Sequence, residues 1–307
     1  MPSPASAPAL VLLNPNAGTK APLAGPVPSA AEVVALLARH GLAAEVVVTE
    51  SGTAAERAAG EAVQAGRQLV VAAGGDGTIG TVAAVLLDSP TALGILPLGS
   101  VMNVPRMLDL PRELEAAAAV LARGETRLID VGLANGLVFY ETASVGINAA
   151  IFGAAANFSE GNWRSMRRLL RLVFAYRPAR LRLRIDDHEL RTRALMVTVS
   201  NGPYAGIGMT VAPDARLDDG AFDVTIFRHF SKLELLRHLA SISFGRRSYT
   251  PHTQTHRGAH VLIESRRPLP VRADSVDLGS TPLECRVRRA CLRVVAPQSS
   301  SGRTQRE

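Results

Sequence analysis

The run Gln68-Leu69-Val70-Val71-Ala72-Ala73-Gly74-Gly75-Asp76-Gly77-Thr78-Ile79-Gly80-Thr81-Val82-Ala83-Ala84-Val85-Leu86-Leu87 holds a strand, a turn and a helix in one segment. Residues 68–73 read as a buried strand, and residues 79–87 as a helix. Between them, Gly74, Gly75 and Gly77 leave backbone amides open to a ligand, because no Cβ stands in the way. The following helix directs its positive end at the same spot, so a phosphate is the natural guest. Asp76 would repel a bare phosphate, which predicts that it faces a metal ion or a hydroxyl. An ordinary tight turn is the plain alternative for such a loop.

Outward from this segment, strand and helix alternate. Residues 10–13 form a strand closed by Asn14-Pro15, 30–40 a helix, 44–48 a strand and 53–65 a helix. A fourth strand follows at 93–96 and a helix at 112–122. Such alternation predicts an α/β domain with a doubly wound parallel sheet. Ligands of these sheets sit at the carboxyl ends of the strands. Asn14, Thr49, Gly74 and Pro97 each follow a strand end and should share one rim. From Thr126 onward short alternating runs dominate, as in Leu181-Arg182-Leu183-Arg184-Ile185, and predict a β-rich, sandwich-like second domain. Helices are expected within it near 162–176 and 232–243. The expected division is 1–128, 129–297 and a disordered polar tail at 298–307.

A chain of 307 residues with 47% hydrophobic content can build two packed cores. Its formal charge of +7 favours anionic partners. Nucleic acid is not among them, because no binding motif occurs and aromatics, at 4%, are too few for a stacking platform. Cys285 and Cys291 lack metal or redox spacing, which fits a reduced, cytoplasmic chain. No leader-like segment and no stretch of 18 apolar residues is present, so no membrane span is expected.

With Asn14-Pro15-Asn16-Ala17-Gly18, Gly74 to Thr78, Leu98-Gly99-Ser100, Ile129-Asp130-Val131-Gly132, Asn201-Gly202, residues 212–220 and residues 274–282 in view, the chain resembles the diacylglycerol kinase catalytic family. The likeness is to its bacterial soluble lipid kinase branch, related to sphingosine kinases and more distantly to NAD kinases. The resemblance implies ATP-dependent, Mg2+-assisted phosphorylation of a lipid hydroxyl. Carried over by motif, nucleotide contacts fall on Asn14, Thr49, Gly74, Gly75, Asp76, Gly77, Thr78, Thr81 and Ser100. Asp76 and Asp274 would be the catalytic acids, with Asp130 in support. The resemblance also implies a structural Mg2+ site at Asp219 with the backbone oxygens of Arg216 and Ala221, where a β-turn is the alternative reading.

Three positions depart from the family pattern. Its catalytic Glu, third in an Asp-Gly-Glu triplet, is Val276 in Asp274-Ser275-Val276, and valine accepts no proton. Asp277 lies one residue on, where a strand turns a side chain to the opposite face. The Asn-Glu after the glycine loop is Gly80-Thr81, and the Gly-Thr-x-Asn-Asp segment is Gly99-Ser100-Val101-Met102-Asn103. Met102 reads as core. Loss of a general base lowers rate by about two to four orders of magnitude. A slow lipid kinase is therefore the leading reading, with a non-catalytic nucleotide or lipid binder second and an NAD kinase third.

The segment Trp163–Tyr176 places four arginines on one helical arc and apolar residues on the rest. That pattern suits either peripheral attachment at the inner membrane face or packing on the β domain. Homodimerisation is open, since nothing in the sequence selects for or against it.

Overall fold

The computed structural model describes residues 8–18, 27–147, 149, 176–206, 208–228 and 253–297. The expected helices at 162–176 and 232–243, apart from Tyr176, and the tail at 298–307, lie outside them. The chain divides into two compact units, residues 1–130 with 289–307, and residues 131–288.

In the first unit the elements run β1 (Ala9–Leu13), α1 (Ala30–Arg39), β2 (Ala44–Val48), α2 (Gly52–Gln64), β3 (Leu69–Gly74), α3 (Asp76–Val85), β4 (Ala92–Pro97), α4 (Asn103–Met107), α5 (Leu114–Arg123) and the start of β5 (Thr126–Ala134). The strands β2, β1, β3 and β4 lie side by side in that order, all parallel. Every residue of β1 and β4 is buried, and Val70 to Ala73 of β3 are sealed from solvent. Their continuous Val, Ile, Leu and Ala runs are what a strand covered on both faces requires. β2 forms the edge and is mostly exposed. Helix α1 starts at a capping box in which Ser29 accepts from the Glu32 amide and the Glu32 carboxylate accepts from the Ser29 amide.

The second unit is built from β6 (Leu137–Phe139), β7 (Thr142–Gly146), β8 (Ala179–Ile185), β9 (His188–Ala194), β10 (Met196–Ser200), β11 (Tyr204–Ala205), β12 (Met209–Thr210), β13 (Phe222–Phe227), β14 (Thr253–Gly258), β15 (His260–Ser265), β16 (Pro270–Ala273), β17 (Val276–Ser280) and the first part of β18 (Leu283–Val295). One antiparallel sheet has the order β14-β13-β10-β7-β16-β17, and β15 links β18 to β8 and β9 in another. Val145, Val197, Val199, Phe222 and Val271 of the first meet Leu181, Leu183, Val261, Ile263 and Leu283 of the second in one core. Phe139 stacks on Phe222 there, with ring centroids 5.6 Å apart. Along β8, buried Ala179, Leu181, Leu183 and Ile185 alternate with exposed arginines, the signature of a sheet with one dry face.

The division falls after Asp130, two residues beyond the expected boundary. Residues 289–297, expected with the second domain, pack by their contacts with the first unit. Val294 of β18 pairs in parallel with Leu93 of β4, and the Ala296 amide donates to the Glu125 carbonyl at 3.1 Å. The end of the chain thus completes the sheet that its beginning starts.

Cys285 and Cys291 are buried and form no disulfide with each other. Burial pushes the Cys285 thiol far above the ordinary thiol range, so it stays protonated and inert. Native protein should therefore react with a thiol reagent such as DTNB only at the rate of unfolding, and both cysteines should label at once in denaturant. Fast labelling of the native chain would contradict this core.

Candidate functional site

In the first unit, β1 ends at Leu13, β2 at Val48, β3 at Gly74 and β4 at Pro97. The pairings Leu13↔Val48, Leu13↔Ala73 and Gly74↔Pro97 bring these ends to one level. Asn14, Thr49, Gly75 and Leu98 therefore share the carboxyl rim. The order β2-β1-β3-β4 reverses direction between β1 and β3, and crevices open at such switch points. Asn14 spans it, donating from Nδ2 to Thr78 Oγ1 at 2.9 Å. Its Oδ1 accepts from the Asn16 amide and folds the Asn14–Gly18 turn back on itself.

Helix α3 starts earlier than expected, at Asp76, so Gly77 and Thr78 form its first turn. Its N-cap is Gly75 in extended conformation, and no side chain caps the exposed amides. An uncapped helix N-terminus at a switch-point crevice is electrostatically prepared for an anion. The loop after β4 sits against this turn. A Cβ added at Gly99 would lie 2.6 Å from the Gly75 Cα and 2.6 Å from the Met102 sulfur, so only glycine fits. A Cβ at Gly74 would meet the Thr78 side chain at 2.6 Å.

Asp76, expected to face a metal ion or a hydroxyl, has its carboxylate held by backbone amides. Its Oδ1 accepts from the Val104 amide at 2.9 Å and its Oδ2 from the Asn103 amide at 3.1 Å. The carboxylate satisfies the first amides of α4, which no residue of its own caps. Met102, just before that helix, holds a left-handed backbone at φ 58° and is buried, as its apolar character leads one to expect. Its sulfur accepts from the Gly99 amide at 3.1 Å.

The remaining rim residues divide. Thr49 is buried and its hydroxyl turns inward to the Leu13 carbonyl, 3.4 Å away, instead of toward the crevice. Ser100 is exposed, and its carbonyl accepts from Arg112 Nη2 at 2.7 Å. Thr81 is half-buried on α3, with Oγ1 beside Gly52 at the start of α2. Asp130 accepts from the Ala290 amide at 2.7 Å, which ties β18 to β5.

In the second unit, Asp274 is held by three amides. Oδ2 accepts from Tyr140 at 2.8 Å, and Oδ1 from Glu141 and Thr142 at 3.0 Å each. The residue forms the β16–β17 corner at φ 45°. A carboxylate so engaged fixes the corner between β6 and β7. Val276 opens β17 and is 43% exposed, so packing does not account for it. Asp277 spends Oδ1 on the Gly279 amide at 2.7 Å and takes no place in the triplet.

Asp219 lies at the turn before β13. Its Oδ1 accepts from the Ala221 amide at 3.2 Å, and its Oδ2 from Arg257. Arg257 also stands 3.8 Å from the buried Asp223. Burial raises the Asp223 carboxyl above its ordinary range, while Arg257 pulls it down and Asp219 and Asp214 add to the rise. Asp223 Oδ2 is buried without a hydrogen-bond partner among the described residues. Orphaned carboxylate oxygen beside further acids is the donor chemistry of a hard cation. Residues Asp219, Arg216 and Ala221 fit such an ion by type, but it would compete with Arg257 for Asp219. No cluster of three or more His, Cys, Asp or Glu suited to a metal occurs among the described residues.

Sequence reading had quoted Gly99 only as part of a motif and had not singled out Arg257 or the buried Glu141 next to Asp274's amides. Arg257 left no local signal, because its partner is 38 residues away.

Two outcomes follow. Gly99→Ala should lower Tm by about 3–8 °C through overpacking and weaken ADP binding about tenfold in calorimetric titration. Arg257→Ala should lower Tm in EDTA by about 2–4 °C, and millimolar Mg2+ should restore more of it than it adds to the wild type. Equal response to Mg2+ in both proteins would show that no cation shares Asp219.

Comparison with known proteins agrees with this architecture. Residues 8–134 match the model of the diacylglycerol kinase catalytic domain. Residues 141–296 match the YegS C-terminal NAD kinase beta sandwich-like domain. A Chromohalobacter salexigens protein named "Probable lipid kinase YegS-like" is 34% identical over 221 residues, 69% of this chain and 71% of that one. A Bacillus subtilis protein named "Diacylglycerol kinase" is 30% identical over 210 residues, 61% of this chain and 66% of that one. The crystal structure of a diacylglycerol kinase from Bacillus anthracis has the same fold, with TM-score 0.70 at 18% identity, covering 96% of this chain and 98% of that one. With the glycine turn, the rim and the sandwich all in place, the chain belongs to the diacylglycerol kinase catalytic-domain family, among the lipid kinases that carry a YegS-type second domain.

Proposed function

We propose that the protein is a slow, ATP-dependent lipid kinase that phosphorylates a hydroxyl of diacylglycerol or a related lipid at the inner face of a membrane. The observation that carries this reading is the uncapped N-terminus of α3 at the switch-point rim. Amides of Gly75, Gly77 and Thr78 would hold the nucleotide phosphates there, with Asn14 orienting Thr78 and Asp76 holding α4 in place. Mg2+ supplies charge neutralisation for the transferring phosphoryl group when bound.

In the reaction the lipid oxygen forms a bond to the γ-phosphorus, the bond from γ-phosphorus to the bridging oxygen breaks, and ADP leaves. The hydroxyl proton goes to a side-chain base or, without one, to solvent water. By the family resemblance Val276 takes the place of the catalytic glutamate, and Asp274 already accepts from three amides. Positioning and phosphate-charge stabilisation remain, so a rate lower by about two to four orders of magnitude is expected. The same two residues favour a second reading, a nucleotide and lipid binder without turnover.

Labelled ATP with Mg2+, offered with mixed lipids in micelles or with NAD, separates the readings. Label in a lipid product supports the kinase. Label in neither product, with ATP bound, selects the binder, and label in NAD selects the third alternative. Val276→Glu should raise lipid kcat about 100-fold with Tm unchanged, because the side chain is exposed. An active wild type with an inert Glu variant would show that Val276 does not occupy the base position.

A further inference from the structure

The second unit carries an arginine surface that the kinase chemistry does not use. On β8, Arg180, Arg182 and Arg184 all point to the exposed face. On β9, Arg191 and Arg193 are exposed, and Arg266 follows β15. The register sets Arg180 directly opposite Arg193, and Arg182 opposite Arg191. Like charges in such cross-strand positions repel. Arg182 and Arg191 share Glu189, at 2.7 and 3.2 Å, and Glu264 lies 3.7 Å from Arg182. Arg180 and Arg193 have no carboxylate partner among the described residues. Six arginines thus face two glutamates, and an uncompensated arginine pair lies across adjacent strands.

This face is not flat. A recess of about 560 Å3 is lined by Arg180, Arg182, Arg191, Arg193, Arg266 and Glu264. That volume accommodates a phosphate-bearing headgroup. Among the described residues no aromatic side chain lines it, so these offer no stacking surface of the kind single-stranded nucleic acid uses.

The geometry points to a docking surface for the anionic headgroup layer of a phospholipid bilayer, with the Arg180–Arg193 pair closing on a lipid phosphate. The inference rests on the lipid kinase reading for its choice of occupant, since an enzyme acting on a lipid needs residence at the bilayer. Guanidinium groups match phosphate oxygens in pairs, and one phosphate between two arginines would relieve their repulsion. Each arginine near an anionic surface adds about fivefold to partitioning, and salt screens the effect.

Flotation with vesicles of pure phosphatidylcholine, or of phosphatidylcholine with phosphatidylglycerol, tests it on the full-length chain. The wild type should float with the anionic vesicles only and be released by high salt. Arg180→Glu/Arg193→Glu should lose at least about 20-fold in partitioning, Arg180→Gln/Arg193→Gln somewhat less, while Arg180→Lys/Arg193→Lys should retain most of it. Phosphorylation of lipid in neutral detergent micelles should be unchanged in all three, which separates failed docking from a failed kinase reading. Equal flotation with both vesicle types, or undiminished flotation of both the Glu and Gln variants, would overturn the assignment. Release by inorganic phosphate beyond that by chloride at equal ionic strength would reassign the recess to a soluble anion. Displacement by single-stranded RNA dependent on the same pair would reassign it to nucleic acid.

Discussion

Two backbones approach each other at Gly75 and Gly99, and the geometry of the rim follows from that contact. With any side chain at Gly99, the loop after β4 would be pushed off the turn after β3. With glycine at both points, Asp76 reaches the amides that start α4, and Met102 folds its sulfur under Gly99. One acid at the start of α3 therefore caps a different helix. The amides of α3 itself stay open at the crevice between β1 and β3, which is where charge from a ligand is best received.

The second unit uses carboxylates in a similar way. Asp274 gathers three amides from the β6–β7 corner and fixes a hairpin at positive φ. Asp219 fastens the turn before β13 through the Ala221 amide and Arg257. In both cases an acid that sequence motifs mark for chemistry is also holding backbone. Conservative replacement of either would disturb shape before it revealed any role in turnover.

Most of the fold was legible because its signals are local. The apolar runs at 10–13, 68–73 and 93–96, read with the helical patterns that alternate with them, predict a parallel sheet and its rim. The β8 alternation fixes which face of the sandwich is dry. Long-range pairings were not legible. Asp76 meets Val104 across 28 positions, and Arg257 meets Asp219 across 38, without any periodicity to mark them. Thr49 looked like a rim contact by position, yet its short hydroxyl reaches the Leu13 carbonyl at the end of the neighbouring strand β1. The short α4 was missed because five residues carry too little periodicity to register. The return of β18 to the first sheet was left open by the sequence, because a strand of one sheet reads much like a strand of another.

That return has a bearing on biogenesis. β4 lies between β3 and β18, and its second neighbour is supplied by residues near 294. While the ribosome is still making the sandwich, the nascent first unit exposes the flank of β4, with unpaired amides and carbonyls along a hydrophobic strand. Unpaired flanks of this kind invite aggregation during slow synthesis. The sheet that opens at β1 is thus sealed only once residues near 294 have been made.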